Sequence, residues 1–212
     1  TLSALTDLVR AGKVRAIGSS TMPASDIVEA QWVAERHGLQ RFRTEQPTYS
    51  ILNRGIEAEV LPVAQRYGMG TLVWSPLAKG MLTGRIRKNQ ETDLRRATMM
   101  AASFRDESRL DAVEKVAALA EETGIPMTHL AMGFAIAHPG VTSAIIGPRT
   151  MEHLDDLLAG VDVRLGDDVL DRIDEIVAPG TNVGAPDASA YLPPALTTAA
   201  LRRRPVGERS AS

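Results

Sequence analysis

Cysteine is absent from this 212-residue sequence, which excludes disulfide bonds and thiolate-bound metal sites. Aromatic residues are scarce, at 4% of the chain, and no apolar run approaches the roughly 20 residues of a membrane-spanning helix. Neither positive nor negative charge is in large excess, because 24 basic and 26 acidic residues leave a net charge of −2. This balance gives no electrostatic reason to expect nucleic acid or a membrane surface as a partner.

What the sequence does contain is typical of a globular protein, with 44% hydrophobic and 24% charged residues. The length suits one large domain or a large part of one. No signal peptide is visible, and the lack of cysteine fits a reducing compartment, so we expect a cytoplasmic protein. The first residue is Thr1, which already lies in a helical pattern; we therefore expect that further residues precede it in a parent sequence.

Short apolar segments alternate with segments of helical periodicity along most of the chain. Strands are predicted at 14–18, 42–46, 71–74 and 144–146. Helices are predicted at 1–11, 26–37, 57–67, 110–122, 128–137, 151–158 and 167–177. From Pro179 onward, proline and glycine clusters predict a tail with little regular structure, ordered where Tyr191 and Leu192 dock.

The first three strands begin near residues 14, 42 and 71, so successive strand–helix units have nearly equal lengths. Such alternation indicates βαβ units and a parallel sheet with right-handed crossovers. Two architectures fit this pattern. One is a closed barrel of eight strands, which needs about 250 residues. The other is an open doubly wound sheet, and the pattern alone does not distinguish them.

Five segments in order resemble the aldo-keto reductases, and most of all the bacterial branch related to the potassium-channel β-subunits. They are GKVRAIGSST (12–21), EQPTYSILNRGIEAEVLPVAQRYGMG (45–70), LVWSPLAKGMLTGR (72–85), GIPMTHLAMGFAIAHPGVTSAIIGPRTMEHL (124–154) and IVAPGTNVGAPDASAYLPP (176–194). The resemblance implies an α/β fold, the (β/α)₈ TIM barrel, with NADP(H) across the C-terminal ends of the strands. Residues 1–178 would supply the second half of that barrel, strands five to eight, and residues 179–212 a Pro/Gly-rich C-terminal tail.

The family's catalytic Asp, Tyr, Lys and His lie in the first half of the barrel, for which we find no counterpart in this sequence. In the family the tyrosine donates a proton to the carbonyl oxygen while the nicotinamide supplies hydride. Tyr49, Lys79, Asp93 and His138 share the residue types, but they match other segments of the family. We therefore expect no catalytic residue here, and we expect Tyr49 to pack at the barrel rim.

What the resemblance does imply for this chain is a cofactor-binding role. Ser20, Thr21 and Gln46 match residues that bind the nicotinamide carboxamide, although the family usually has asparagine in place of Thr21. A glutamine side chain offers both a donor and an acceptor to a carboxamide. The alternative for Ser20 and Thr21 is a turn that caps the following helix.

Trp74 matches an aromatic residue that stacks on the nicotinamide ring, with core packing as the alternative. The loop that follows would fold over the pyrophosphate through Ser75, Pro76, Leu77, Ala78 and Gly80. Glycine at position 80 lets the backbone approach a ligand closely. Arg85 would reach the pyrophosphate, and Arg95 or Arg96 is expected to do the same.

The loop Gly147–Thr150 precedes a helix, and exposed amides at a helix N-terminus favour an anion. Arg149 matches the family residue near the adenosine 2′-phosphate, which favours NADP over NAD. Asp156 and His153 stand where the branch usually has Glu and Gln around the adenine ribose, whereas Leu157 replaces an asparagine that contacts adenine. The four histidines have no metal-ligand spacing, and no metal is expected.

Two functions from different classes follow. The first is an NADPH-dependent oxidoreductase that reduces an aldehyde or ketone to an alcohol, of which this chain is the cofactor-binding half. The second is a truncated, non-catalytic NADP-binding or structural protein of the same origin. An open half barrel would expose two sheet edges and an apolar face, so we expect the chain to form a homo-oligomer or to need a missing N-terminal half.

Overall fold

The structure is a computed structural model that describes residues 1–88, 104–184 and 192–208. Its strands are β1 (Gly18–Ser20), β2 (Thr44–Gln46), β3 (Gly70–Trp74) and β4 (Ser143–Ile145). Its helices are α1 (Leu2–Arg10), α2 (Ala24–His37), α3 (Val60–Arg66), α4 (Glu107–Thr123), α5 (Met127–Ala137), α6 (Met151–Ala159), α7 (Asp167–Ile176) and α8 (Pro194–Thr197). In the described part of the chain, no helix has both the length and the apolar character needed to cross a bilayer.

The four strands form one parallel sheet in the order β1-β2-β3-β4. Ser20 lies opposite Gln46, and Trp74 lies opposite Ile145. Because all strands run the same way, their C-terminal ends meet at one edge of the sheet. Within the described residues the order is sequential and has no reversal, so these four strands show no switch point of the kind that defines the doubly wound alternative.

The two faces of the sheet differ in burial. On one face Glu45, Thr71 and Val73 have no exposed surface, and α3 and α5 pack against the neighbouring strands. The alternate residues point to the other side, and most of them are half-buried or exposed; this open face consists of Gly18, Ser20, Thr44, Gln46, Gly70, Leu72, Trp74, Ser143 and Ile145. Parallel sheets are normally covered on both faces. Within the described residues, the helices cover one.

Two apolar clusters hold the helices in place. The larger one joins β3 to α4, α5 and α7 through fully buried side chains such as Val73, Val113, Leu130 and Ile173. The smaller one joins α1, α2 and α3 around Ile27. Burying a side chain of this size stabilises the fold by about 1.5–3 kcal/mol.

The helix predictions are confirmed to within a few residues. Gly38 and Gly124 end α2 and α4 in the left-handed conformation that glycine adopts without cost. The helix predicted from residue 128 begins one residue earlier, after Pro126, and the Thr128 hydroxyl donates to Asp156 at 3.1 Å. The helix predicted from residue 57 begins at Val60, after a 3₁₀ turn at Gly55–Glu57.

The prediction of a first strand at 14–18 is also wrong, because β1 begins at Gly18. The Ile17 side chain is buried in the smaller cluster and its carbonyl accepts a single hydrogen bond from Arg43 N. The ladder with β2 starts only where Gly18 meets Thr44. The apolar residues at 14–18 therefore mark a core segment that leads into the strand.

Before its short helices, the C-terminal segment is attached to the segment that joins β2 to α3. Val183 N donates to Leu52 O at 2.9 Å, and Gly55 N donates to the side chain of Asn182 at 2.8 Å. Further on, α8 and two 3₁₀ turns follow, so this part has slightly more regular structure than expected. Of the two residues expected to dock, Leu192 is 39% exposed, and Tyr191 lies outside the described residues.

Candidate functional site

Ser20 and Gln46 end adjacent strands side by side on the open face. The Ser20 hydroxyl donates to the carbonyl oxygen of Gln46 at 2.9 Å, and Thr21 N donates to the same oxygen at 3.3 Å. The Gln46 side-chain amide is half-buried. The structure therefore brings these three predicted residues together. The alternative for Ser20 and Thr21, a turn that caps the following helix, is wrong, because Pro23 precedes α2 and no side chain caps it.

Glu45 is a residue that the sequence interpretation missed. Its side chain has no exposed surface and points away from the open face, where its carboxylate accepts hydrogen bonds from the Ser19 hydroxyl and from Met22 N. Burial raises the pKa of Glu45, and these hydrogen bonds oppose the rise without cancelling it. The signal in the sequence was an acidic residue inside the strand predicted at 42–46, because a carboxylate is rarely buried there unless it is hydrogen-bonded.

Trp74 ends β3 on the open face, and its indole is half-buried. The Lys79 ammonium lies 5.8 Å from the centre of its ring, a distance at which a cation and an aromatic face attract each other. The main chain of Trp74 bonds on both sides to the segment after β2: Trp74 N donates to Pro47 O at 3.0 Å, and Tyr49 N donates to Trp74 O at 3.2 Å. The ring is thus held at the C-terminal edge of the sheet.

The loop after β3 has an unusual backbone. Ser75, Ala78 and Lys79 have φ values of 61°, 47° and 61°, and Gly80 has a φ of 109°. Ser75, Ala78 and Lys79, together with Thr21 at 54°, are all the non-glycine residues with positive φ in the described part of the chain. Such conformations cost of order 1–3 kcal/mol each and persist where neighbouring contacts hold them, often at functional sites. Here every one of them lies in the loop that follows β1 or β3.

The Ser75 hydroxyl stabilises this loop by accepting a hydrogen bond from Lys79 N at 2.7 Å. Pro76 and Ala78 are buried beneath it, whereas Leu77 and Gly80 are half-buried. Arg85 is exposed at the end of the 3₁₀ segment Ala78–Thr83. The predictions for Arg95 and Arg96, and the positions of Asp93 and Tyr191, lie outside the described residues.

Gly147 and Arg149 lie in the loop between β4 and α6, and both are exposed. Thr150 caps α6, because its hydroxyl accepts a hydrogen bond from His153 N at 3.2 Å. A Cβ added at Gly147 or at Gly80 would meet no atom within 4 Å. The backbone beside both glycines is therefore open to a ligand.

Asp156 has partners within the protein. Its carboxylate accepts hydrogen bonds from the Thr128 hydroxyl at 3.1 Å and from His129 Nε2 at 3.0 Å, which joins α6 to α5. His153 is half-buried one turn earlier on α6, and Leu157 is buried behind them. The two predicted ribose ligands therefore differ in their surroundings: His153 is half-buried, whereas Asp156 already has a structural role.

Tyr49 is buried away from the open face, with 1% of its surface exposed. Its hydroxyl donates to Glu57 at 2.6 Å, and Glu57 also accepts from Arg54 Nε at 2.9 Å and from Gly180 N at 2.8 Å. Burial and the neighbouring Glu57 raise the pKa of Tyr49 far above its ordinary value. The buried Arg54 donates in turn to Asp174 at 2.7 Å. This network anchors the segment after α7 to the sheet.

The model of the aldo/keto reductase family matches residues 1–178. The chain is 38% identical over 183 residues to the uncharacterized oxidoreductase YrpG of Bacillus subtilis, covering 86% of this chain and 55% of that protein. It is 34% identical to a putative aryl-alcohol dehydrogenase of Schizosaccharomyces pombe, covering 84% of this chain and 50% of that protein. A putative voltage-gated potassium channel subunit beta of the same yeast is 30% identical, covering 82% and 53%. The chain spans about half the length of these curated relatives, and it belongs to the aldo/keto reductase family.

Proposed function

We propose that this chain is the NADP(H)-binding half of a reductase that converts aldehydes or ketones to alcohols. The observation that carries the proposal is the convergence of Ser20, Gln46 and Trp74 on the open face, at the C-terminal ends of three adjacent parallel strands. In barrels of parallel strands, ligands bind at that end. Oxidoreductase names among the relatives support the reaction class.

The donors and acceptors at these strand ends fit a nicotinamide cofactor. Ser20, Thr21 and the Gln46 amide would bind the carboxamide, and Trp74 would stack on the ring. The positive-φ loop would carry the pyrophosphate, with Ser75, Pro76, Leu77, Ala78, Gly80 and Arg85. The open backbone at Gly147, with Arg149, His153 and Asp156, would take the adenosine end.

The bound nicotinamide would supply a hydride to the carbonyl carbon, so a proton donor must reach the carbonyl oxygen. Tyr49 does not meet this need, because it is buried and its hydroxyl donates to Glu57. Lys79 lies near Trp74, and His138 is half-buried with its ring edge toward Tyr49. We propose that the catalytic Asp, Tyr, Lys and His belong to a part of the family's barrel that residues 1–212 do not include.

The open face supports the proposal that residues 1–178 are the second half of a (β/α)₈ barrel, with 179–212 as a C-terminal tail. A sequential parallel sheet with helices on one side has the geometry of barrel strands. Four further strands would cover the open face and pair with the outer edges of β1 and β4. The chain's span of about half its relatives' length agrees with this arrangement. We place the complete enzyme in the cytoplasm, acting on a small carbonyl substrate.

The test of cofactor binding is a titration of the purified chain with NADPH and with NADH, followed by calorimetry. We expect NADPH to bind more tightly, because Arg149 would form a charge-assisted hydrogen bond with the 2′-phosphate. Arg149→Ala should weaken NADPH binding about tenfold and leave NADH binding nearly unchanged. Arg15→Ala is the matched control, since Arg15 is an exposed cation before β1, at the opposite end of the sheet. Equal loss in both variants, or no binding, would refute the proposed cofactor site.

A second candidate is a non-catalytic NADP-binding or structural protein. It is favoured because the Tyr49 hydroxyl donates to Glu57. No tyrosine is then available at a strand end in the described residues. The two candidates are tested with NADPH and an aromatic aldehyde. For this chain alone we expect the cofactor to bind without turnover. Turnover would show that the chain carries its own proton donor, and recovery of turnover on adding a first barrel half would favour the reductase.

A further inference from the structure

Among the described residues, the buried carboxylate of Glu45 bonds to the end of β1 and to the loop that joins β1 to α2. It accepts from the Ser19 hydroxyl and, at 3.0 Å, from Met22 N. These two partners flank Ser20 and Thr21, two residues of the proposed carboxamide site. We call residues Ser19–Met22 the β1–α2 turn.

This turn needs external support because of its backbone. Thr21 has a φ of 54°, which is costly for a residue with a branched Cβ. On the open face, the Gln46 carbonyl accepts from the Ser20 hydroxyl at 2.9 Å and from Thr21 N at 3.3 Å. On the covered face, Glu45 accepts from Ser19 and Met22. The last two residues of β2 therefore hold the turn from opposite sides.

We propose that Glu45 is a positioning residue for nicotinamide binding: its carboxylate fixes the β1–α2 turn so that Ser20 and Thr21 stand beside the Gln46 amide. This inference rests on the proposed function. Glu45 itself is on the other face of the sheet from the site and does not touch the cofactor. Its effect is transmitted over one residue on each side, through hydrogen bonds that glutamine could keep only by reversing the one to the Ser19 hydroxyl and without the charge that strengthens both.

A purely structural role for the carboxylate would predict a general loss of stability. Thr71 provides the comparison, because it is the register partner of Glu45 on β3 and is equally buried. Among the residues that the structure describes, the Thr71 hydroxyl has no hydrogen-bond partner. Thr71→Val therefore removes a polar atom from the same layer and leaves the turn untouched.

The experiment compares Glu45→Gln and Thr71→Val with the unmodified chain, using two ligands and one ligand-free measurement. NADPH reports on the whole site, whereas 2′,5′-ADP lacks the nicotinamide and reports on the adenosine end alone. Amide hydrogen exchange followed by NMR without ligand reports on the turn. In Glu45→Gln we expect NADPH affinity to fall about five- to tenfold, with 2′,5′-ADP affinity unchanged.

The same variant should exchange the Met22 amide about tenfold faster or more, while amides of β3 keep their protection. Thr71→Val should match the unmodified chain in all three measurements. If Glu45→Gln does not fold, Ser19→Ala removes one partner of the carboxylate and should give a smaller change in the same direction.

Two results would overturn the inference: unchanged exchange at Met22, or an equal loss of affinity for NADPH and 2′,5′-ADP. Failure of the unmodified chain to bind either ligand would instead refute the proposed cofactor site. In that case the exchange measurement still decides whether Glu45 fixes the turn.

Discussion

Glu45 and Glu57 are both buried carboxylates, yet their pKa values move in opposite directions. Burial alone would raise both pKa values. At Glu57, hydrogen bonds from Arg54, Tyr49 and Gly180 outweigh burial and lower the pKa, whereas at Glu45 burial outweighs the bonds of a neutral turn. The difference lies in the partner, since only Glu57 faces a cation. At the residue scale, the pKa of a buried carboxylate is therefore set by neighbours, some of which are distant in sequence.

The lowered pKa of Glu57 predicts a specific loss of stability in acid. Its stabilising effect is fully present above the ordinary glutamate pKa of 4.5 and is lost as the pH falls through the lower folded-state value. Glu57→Gln should flatten this part of the curve of unfolding free energy against pH, measured by urea denaturation. Glu122→Gln is the control, because Glu122 pairs with Arg172 at an exposed position and should change the curve much less. A curve for Glu57→Gln that parallels the unmodified chain would contradict this role.

The Tyr49 hydroxyl should contribute to stability. Tyr49→Phe removes its 2.6 Å hydrogen bond to Glu57 while preserving the stacking on Phe134 at 5.5 Å. We expect the free energy of unfolding to fall by about 1–2 kcal/mol, as for the loss of one bond to a charged group. Tyr67→Phe is the control, since the Tyr67 hydroxyl has no hydrogen bond to the described residues. Equal stability of the two variants would refute the contribution of the Tyr49 hydroxyl.

At the scale of elements, the strands are short and the chemistry lies at their ends. β1, β2 and β4 have three residues each and β3 has five, so each contributes one or two side chains to the open face near the site. The positions of the strands depend on close contact between neighbouring strands. Gly18 shows this best, because a Cβ there would collide with the Thr44 side chain and lie 2.9 Å from its carbonyl oxygen.

This contact predicts different results for two glycine substitutions. Gly18→Ala should destabilise the fold by about 1–3 kcal/mol, because β1 must move away from β2. Gly147→Ala should change stability by less than about 0.5 kcal/mol, since its Cβ meets nothing within 4 Å. Thermal unfolding measures the first effect, and NADPH titration of Gly147→Ala tests whether the open space there is used by the cofactor. A Gly18→Ala variant as stable as the unmodified chain would contradict the packing between β1 and β2.

At the scale of the whole molecule, the sheet combines an open face with two outer strands. Ile145 is 40% exposed there, and Leu72 and Trp74 are half-buried beside it. Within the described residues, the outer edges of β1 and β4 pair with no strand. Exposed edges and apolar faces promote association, which barrels avoid by closure.

We therefore expect the isolated chain to self-associate at micromolar concentration. Ile145→Lys should lower the mean mass measured by light scattering, because it places a charge on the open face. Met151→Lys is the matched control: Met151 is 68% exposed, but it lies on α6 and not on the sheet. A monodisperse monomer, or an equal effect of both substitutions, would refute association through the open face.

The sequence by itself determined the order of strands and helices and most helix ends, because apolar periodicity and glycine act over a few residues. It also determined that Gln46 and Trp74 end their strands, whereas Ser20 came from the family resemblance, because the first strand was predicted to end at Gly18. Only the tertiary structure decided the sequential order of the sheet, the start of β1 at Gly18, and the burial of Glu45 and Tyr49. These features depend on hydrogen bonds and packing between segments far apart in the chain, such as Glu45 with Met22 and Glu57 with Gly180, which no local pattern encodes.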